Sequence, residues 1–278
     1  MKLLYLGTAA AEGIPALFCS CPVCLEAREK KGKDIRSRSQ ALLDDKLLLD
    51  FPPDSYFHYV TSGFTAPDLP AIRHLFITHT HEDHFFPADL CMRRHPYVAS
   101  DPIETLHVYG NEAVEQIIVN RRETPKYTPC NDFRRAKPFE PIEVEGYRVT
   151  PLPALHNPKE ECLFYAIEHG EKALLYAHDT GVFPESVWEY FLKAKLRFNL
   201  VSLDCTLMTR KDGKNHMGIP DCIEVRQKLV SIGAADTKTI FVLNHFSHNG
   251  GLNHDALCRA GEAEGFVVSY DGMEIAIP

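Results

Sequence analysis

The sequence predicts an α/β fold in which two β-sheets pack face to face and helices cover the outside. Apolar runs of strand length recur through both halves of the 278-residue chain, and helical patterns fall between them. Such segments bury their apolar faces by packing in layers, and two sheets with outer helices satisfy this order of elements. Neither a repeat nor a Gly/Ser linker divides the chain, so residues 1–278 are expected to form one domain.

The predicted strands are apolar runs bounded by turn residues. In the first half they are a strand at Lys2–Thr8, a hairpin at Gln40–Phe51 turning at Asp44-Asp45, and a short strand at His74–Thr78. In the second half they are a hairpin at Ile142–Val149 around Glu145-Gly146, strands at Leu163–Ile167, Ala173–Tyr176, Phe198–Leu203 and Thr239–Leu243, and a hairpin at Phe266–Ile277 turning at Asp271-Gly272. Aspartate and glycine at these turns are typical of hairpins.

Helical patterns separate the strands. They cover Glu112–Arg121, Pro184–Lys195, Pro220–Ile232 and Asn253–Glu264. The third begins with Pro220-Asp221 and stops before Gly233, which is the usual punctuation of a helix. The stretch 93–137 follows the histidine-rich segment 79–84 and is expected to shape the mouth of a site.

Composition and charge restrict the function and the compartment. A formal net charge of −8 argues against a basic surface for nucleic acid. No apolar run approaches the length of a membrane span, so no membrane partner is expected. The N-terminal apolar run is too short for a signal peptide, and nine cysteines without such a signal predict reduced thiols in the cytoplasm. The oligomeric state is left open, a homodimer being one option.

Three histidines fall within six positions directly after a short apolar strand. The segment reads His79-Thr80-His81-Glu82-Asp83-His84. Imidazole and carboxylate are ligands for zinc, manganese or iron. A strand's period of two would place His79 and His81 on one face, and a turn beyond them would bring Asp83 and His84 to a second ion. Hydrolytic enzymes commonly hold two metal ions about 3.5–4 Å apart, so the cluster predicts a dinuclear metal site.

This spacing resembles the His-x-His-x-Asp-His motif of the metallo-β-lactamase superfamily, whose fold is an αββα sandwich. The remaining ligands of that family are matched, after later strands, by His156, Asp179 and His245. Asp50 matches an early aspartate that supports the metal site. The resemblance covers nearly the whole chain. The implied ligands are His79, His81 and His156 for one ion, Asp83, His84 and His245 for the other, and Asp179 for both. His178 is an alternative ligand to Asp179, although the Asp-Thr-Gly context favours Asp179.

A second cluster places three cysteines within six positions. Cys19, Cys21 and Cys24 suit a tetrahedral structural zinc that lacks one ligand, and three free buried thiols are the alternative. Together with the segment Gly7–Pro15, this pattern resembles the PhnP-like cyclic phosphodiesterases of the superfamily. In that group a histidine three residues after the last active-site histidine completes the zinc site, which here is His248. The resemblance therefore implies a structural zinc at the loop 19–24.

The resemblance also implies an activity. It is a metal-dependent phosphodiesterase acting on a small anionic cyclic phosphodiester, such as ribose 1,2-cyclic phosphate 5-phosphate. The implied cofactors are two divalent ions, zinc or manganese, in the active site and one structural zinc. His216 matches a pre-helix histidine that contacts the phosphate and assists departure of the leaving group, and Asp83 would share proton handling. Asp204 ends an apolar strand, where it either orients a histidine or substrate or lies at the surface.

Three other functions remain open. A nuclease that processes tRNA 3′ ends needs a long basic arm, for which the sequence offers no Gly- and Lys-rich insertion. Thioester or β-lactam hydrolysis can use the same metals, because fold alone does not choose the chemistry. A non-enzymatic PqqB-like carrier shares the cysteine pattern, but its usual motif departs from the ligand set that is intact here.

Overall fold

Two seven-stranded β-sheets form the centre of the computed structural model, which describes residues 1–61, 71–99, 102–122 and 131–278. The strands are β1 Lys2–Gly7, β2 Gln40–Leu43, β3 Leu47–Leu49, β4 His74–Phe76, β5 Leu106–Gly110, β6 Asn131–Arg135, β7 Ile142–Val144, β8 Tyr147–Pro153, β9 Leu163–His169, β10 Lys172–Ala177, β11 Leu200–Asp204, β12 Ile240–Asn244, β13 Val267–Val268 and β14 Met273–Ala276. The first sheet has the order β14-β1-β2-β3-β4-β5-β6, and the second has β13-β12-β11-β10-β9-β8-β7. The predicted fold class is confirmed.

The main core lies between the two sheets. Leu3 and Tyr5 of β1 pack there with Tyr165 of β9 and Leu174 of β10, all of them fully buried. The neighbouring residues of each strand face outward, where two further apolar clusters lie. Burying a large apolar side chain stabilises the fold by about 1.5–3 kcal/mol, so this layered core is the main source of stability.

Six helices complete the layers in the part of the chain that the structure describes. They are α1 Pro22–Lys30, α2 Ser55–Thr61, α3 Glu112–Arg122, α4 Glu185–Ala194, α5 Ile219–Ser231 and α6 His254–Glu262. Side chains cap the start of two of them: at α6 the Asn253 Oδ1 accepts from the Ala256 amide at 2.8 Å, and at α5 the Asp221 carboxylate accepts from the Gly218 amide at 3.0 Å. No described helix is both long and apolar enough to traverse a bilayer.

Two predicted hairpins are confirmed, and three of their four turn residues suit the backbone of the turns. Asp44 and Asp45 join β2 to β3 with φ of 49° and 57°, and Glu145 and Gly146 join β7 to β8 with φ of 46° and 83°. Positive φ at both central positions is the geometry of a type I′ turn, which matches the twist of the strands it joins. Aspartate and glycine tolerate this backbone better than most residues.

The predicted hairpin at Phe266–Ile277 is wrong. β13 pairs with β12, where Val267 faces Val242, whereas β14 pairs with β1 in the other sheet. The turn residue Asp271 accounts for the crossing, because its carboxylate accepts from the Thr8 hydroxyl and the Ser37 amide, both at 2.6 Å. These hydrogen bonds hold the loop between β13 and β14 against the first sheet, so the last segment links the two sheets.

The carboxyl ends of several strands meet at one edge of the sandwich. β3 and β4 run parallel in the first sheet, and β10, β11 and β12 run parallel in the second. Loops that follow parallel strands emerge on the same side, where α/β proteins commonly build their sites. The histidine motif follows β4, and the later candidate residues follow β8, β10 and β12.

Candidate metal centre

Three imidazoles and one carboxylate converge in a first group. The His81 Nδ1 lies 2.9 Å from the His79 Nε2 and 3.0 Å from the His156 Nε2. The Asp179 Oδ2 lies 3.3 Å from the Nε2 atoms of both His79 and His156. Ligands about 2.0–2.1 Å from a tetrahedral ion are about 3.3 Å apart, so these spacings fit a divalent metal ion.

A second group shares the same carboxylate. The His84 Nε2 lies 3.3 Å from the Asp83 Oδ2, 3.2 Å from the His245 Nε2 and 3.1 Å from the Asp179 Oδ2. Each residue of both groups offers a ligand atom within 4.8 Å of the others. The single Oδ2 of Asp179 therefore stands where a bridge between two ions would be.

The chemistry of the donors also fits cations. Burial raises the pKa of Asp179, but the charge of His245 and hydrogen bonds from His79 and His84 outweigh this effect and hold it well below its ordinary value. Asp179 is therefore an anion surrounded by ring nitrogens. Neutral imidazole nitrogens that face one another without a proton repel, so a shared cation satisfies their lone pairs.

Asp50 and Thr78 fix the orientation of two rings. The Asp50 Oδ2 accepts from the His84 Nδ1 at 2.7 Å, and its Oδ1 accepts from the Thr78 amide at 2.8 Å and hydroxyl at 2.9 Å. The Thr78 Oγ1 in turn lies 3.0 Å from the His79 Nδ1. With Nδ1 occupied, both rings present Nε2 to the groups, which is the usual arrangement behind metal-binding histidines.

Asp204 is completely buried, so the alternative of a surface aspartate is wrong. Its Oδ2 lies 3.3 Å from the His245 Nδ1 and 3.2 Å from the His216 Nδ1, and it accepts from the Asp179 amide at 3.1 Å. Asp204 therefore orients two histidines at once. Its position at the end of a buried strand, like that of Asp50, was the available sequence signal.

His216 lies beside both groups. Its Nδ1 is 3.1 Å from the Asp179 Oδ1 and 3.2 Å from the Asp204 Oδ2. Burial lowers the pKa of His216, but the charges of Asp204 and Asp179 prevail and raise it to about 9. Both carboxylates lie at Nδ1, so this nitrogen carries a proton and donates it in hydrogen bonds to them.

Gly181 explains the Asp-Thr-Gly context of Asp179. A Cβ at this position would lie 2.0 Å from the carbonyl oxygen of Lys214, in the loop that carries His216. The Val182 amide donates to the carbonyl of Gly213 in the same loop at 2.8 Å. Only glycine permits this approach, which sets His216 against Asp179.

His178, the alternative to Asp179, points away from the groups. Its Nε2 lies 2.7 Å from the Ser202 hydroxyl and its Nδ1 lies 3.2 Å from the Asn244 side chain. Burial pushes the pKa of His178 well below its ordinary value. The ring is a neutral core group that links neighbouring strands.

Three residues that end strands at this edge have left-handed backbone. The φ angles are 64° at Asp50, 54° at Asp179 and 65° at His245. A non-glycine residue with positive φ is uncommon, and such residues cluster at functional sites. The turn after each strand aims its side chain into the groups instead of continuing along the sheet.

The cysteine cluster lies against His248. The His248 Nδ1 is 3.6 Å from the Cys19 Sγ and 3.4 Å from the Cys21 Sγ, and Cys24 belongs to the same group. Sulfur and nitrogen ligands of a tetrahedral zinc are about 3.6 Å apart, given bonds of about 2.3 and 2.0–2.1 Å. The cysteines are free thiols, and Cys19 and Cys21 are only half-buried. The alternative of three buried thiols in the core does not fit, because two of the three side chains are partly exposed.

A short segment joins the cysteine cluster to the histidine groups. The Phe246 amide donates to the Thr8 carbonyl, and its carbonyl accepts from the Ala10 amide, both at 2.9 Å. The His248 Nε2 lies 3.5 Å from the Glu12 Oε1, which also accepts from the Ser247 hydroxyl. A carboxylate behind a histidine is the arrangement that orients metal ligands. The segment is thus fixed on both sides by residues near the start of the chain.

Known proteins of this fold include two solved structures that cover nearly the whole chain. A diphosphatase from the PhnP family is 22% identical, with a TM-score of 0.72 over 99% of this chain and 96% of that protein. Zinc-bound PqqB from Methylobacterium extorquens is 20% identical, with a TM-score of 0.73 over 99% of this chain and 100% of that protein. At these identities the likeness concerns the fold.

A curated relative is the octanoyltransferase of Porphyromonas gingivalis, which is 26% identical over 297 residues. The alignment takes in 100% of this chain but 52% of that protein, so the chain spans about half the length of the curated relative it matches. The family model described as the beta-lactamase superfamily domain matches residues 48–246. Because that match runs from the strand before Asp50 to the residue after His245, and so takes in both histidine groups, the chain belongs to the β-lactamase superfamily.

Proposed function

We propose that the protein is a metal-dependent phosphodiesterase that hydrolyses a small anionic cyclic phosphodiester, such as ribose 1,2-cyclic phosphate 5-phosphate. The observation that carries the proposal is the position of His216, whose Nδ1 is held by Asp179 and Asp204 at the edge of the two histidine groups. Phosphodiester cleavage needs a proton for its alkoxide leaving group, and in this proposal the His216 ring supplies it.

In this proposal the histidine groups hold two divalent ions, zinc or manganese. His79, His81 and His156 would hold one ion, Asp83, His84 and His245 would hold the other, and Asp179 would serve both. When bound, such ions polarise a phosphoryl oxygen and make water a usable nucleophile at neutral pH. The orientation of the rings comes from this chain, through Asp50 behind His84 and Asp204 behind His245.

The role of His216 follows from its two ring nitrogens. As a water oxygen bonds to phosphorus and releases a proton to the solvent, the bond to the leaving oxygen breaks, and a protonated His216 would pass its Nε2 proton to that oxygen. The ring becomes neutral and keeps the Nδ1 proton against Asp204 and Asp179. Burial raises the pKa of Asp83, but His84 holds it well below its ordinary value. Asp83 is therefore a ligand in this proposal, and its part in proton handling stays a prediction.

The net charge of −8 supports a small substrate over a polymer. A nucleic acid is bound mainly through many basic contacts to its phosphates, and an acidic protein offers few of them. A compact phosphodiester needs only a local cationic site. Cations held by the two histidine groups would provide such a site.

Thioester hydrolysis is a second candidate, favoured by one observation. The relative from Porphyromonas gingivalis is named an octanoyltransferase, and acyl transfer of this kind acts on activated acyl groups. Only half of that protein corresponds to this chain, so its activity does not carry over directly. The same ions could polarise a thioester carbonyl, and a thiolate leaving group needs less help from an acid than an alkoxide does.

A metal count combined with a substrate panel tests the proposal. The purified protein is assayed for zinc and manganese, then for hydrolysis of bis-p-nitrophenyl phosphate, a ribose cyclic phosphate and an octanoyl thioester. Three ions per chain with cyclic-phosphate turnover is the expected result. Turnover of the thioester alone would transfer the assignment to the second candidate. Absence of turnover with added Zn²⁺ or Mn²⁺ would favour a PqqB-like carrier, and tight salt-dependent tRNA binding would favour a nuclease.

Substitution of Cys21 by serine tests the proposed structural zinc. The variant C21S is expected to hold one ion fewer per chain, because serine is a poor zinc ligand. Its unfolding temperature should fall by roughly 5–10 °C, at about 3 °C per kcal/mol for a chain of this size. Metal analysis and thermal unfolding measure both effects. The control is C258S, since Cys258 contacts His254 outside the cluster; equal metal content in C21S and C258S would contradict the assignment.

A further inference from the structure

Glu160 lies outside both histidine groups and collects hydrogen bonds from three separate places. Its Oε1 accepts from the Thr80 hydroxyl at 2.6 Å and from the Asn157 Nδ2 at 3.2 Å. Its Oε2 accepts from the Thr80 amide at 3.1 Å and from the Asn111 Nδ2 at 2.9 Å. All four donors point at one carboxylate, so it acts as a common acceptor for three chain segments.

Two of those segments supply the first histidine group. Thr80 lies between His79 and His81, and Asn157 directly follows His156. Both the amide and the hydroxyl of Thr80 are fixed, so the backbone between the two histidines has little freedom to rotate. The carboxylate consequently connects the segment that carries His79 and His81 with the segment that carries His156, although the two segments lie far apart in sequence.

Asn111 attaches this connection to the framework. Its side chain is buried, its Oδ1 accepts from the Val114 amide at the start of α3 at 3.0 Å, and its Nδ2 also donates to the Glu161 carbonyl at 2.9 Å. Burial raises the pKa of Glu160, but the hydrogen bonds from Thr80 and Asn111 lower it overall. The acceptor is therefore a carboxylate with two equivalent oxygens.

We propose that Glu160 is a positioning residue that presets His79, His81 and His156 for their ion. The proposal rests on the metal site of the proposed function. A ligand set fixed before binding loses less conformational freedom when the ion arrives. Removing a partner that orients metal ligands typically weakens metal affinity about 10- to 100-fold.

The substitution E160Q tests the role at nearly constant shape. A glutamine has one acceptor oxygen, so its NH₂ group must face at least one of the donors now bound to the carboxylate. Metal-free E160Q is titrated with Zn²⁺ by calorimetry and with Co²⁺ by visible absorption. We expect one class of histidine-group sites to weaken about 10- to 100-fold, and the other class and the cysteine cluster to stay within about twofold.

Matched variants separate positioning from general damage. E161Q changes the neighbouring, exposed carboxylate and should bind all three ions as the unsubstituted protein does. T80S keeps the hydroxyl donor and should also bind normally, whereas T80V removes it and should weaken the same class as E160Q. The double variant E160Q/T80V should lose less than the two single losses combined, because both act on one interaction.

The outcomes distinguish the two proposals. If the unsubstituted protein binds no ion in the histidine groups, the proposed function fails, and the role of Glu160 fails with it. If that protein binds its ions but E160Q matches E161Q, only the role of Glu160 is overturned. Equal weakening of both classes, with a lower unfolding temperature of metal-free E160Q, would likewise overturn positioning in favour of a merely structural role.

Discussion

Replacement of Asp179 by asparagine is expected to abolish metal binding in both histidine groups and to reduce hydrolysis at least about a thousandfold. The Asp179 Oδ2 lies between 3.1 and 3.7 Å from the Nε2 atoms of four imidazoles. An amide keeps the shape but removes the negative charge that both groups share. Ions of this kind are worth several kcal/mol in the transition state, which converts to this factor.

Metal analysis and hydrolysis of bis-p-nitrophenyl phosphate measure the effect of D179N. The matched control is D255N, because Asp255 is an exposed aspartate in the first turn of α6. The zinc proposed for the cysteine cluster should survive in D179N, so one ion per chain is the expected count. Three ions with normal turnover in D179N would contradict the bridging role.

Replacement of His216 by asparagine is expected to lower kcat for an alkyl phosphodiester about 10²- to 10⁴-fold while both ions stay bound. The reason is the loss of the proton donor for the leaving oxygen. Bis-p-nitrophenyl phosphate releases a much better leaving group, so its hydrolysis should suffer far less. The ratio of the two losses therefore reports acid catalysis itself and is insensitive to misfolding.

The pair of substrates also provides the decisive comparison for His216. H169N is the matched control, because His169 is exposed, stacks on Tyr147 and pairs with Lys172, at the end of β10 opposite to Asp179. Equal losses of H216N on both substrates would point to substrate binding and not to proton transfer. Near-normal turnover of the alkyl substrate would remove His216 from the mechanism.

The layered fold followed from local patterns, and the failures have physical reasons. Turn residues predict hairpins such as β2–β3, because the two paired strands are adjacent in sequence. β6 escaped prediction since it is a half-buried edge strand reading Asn-Asp-Phe-Arg-Arg, without an apolar face. The segment from Phe266 was misread because the partner of β14 is β1, near the other end of the sequence. No local pattern specifies such a distant partner.

The site divides in the same way. The predicted ligand residues are brought together, since their residue types and strand-end positions were visible in the sequence. Asp204 and Glu160 were harder to find, because the role of an aspartate or glutamate depends on the residues that it contacts in the folded protein. Asp204 touches residues from three loops, and Glu160 joins Thr80 to Asn157 and Asn111. Contacts of this kind exist only after the sheets have packed.

The left-handed backbone at Asp50, Asp179 and His245 has a consequence for the life of the protein in a cell. Each such residue costs about 1–3 kcal/mol, which is large beside a net stability of about 5–15 kcal/mol. Ions that bind only the native state offset that burden by mass action. Metal starvation would leave the burden uncompensated and increase the unfolded population that proteases clear. The abundance of the protein should therefore follow the metal supply, independently of any change in its synthesis.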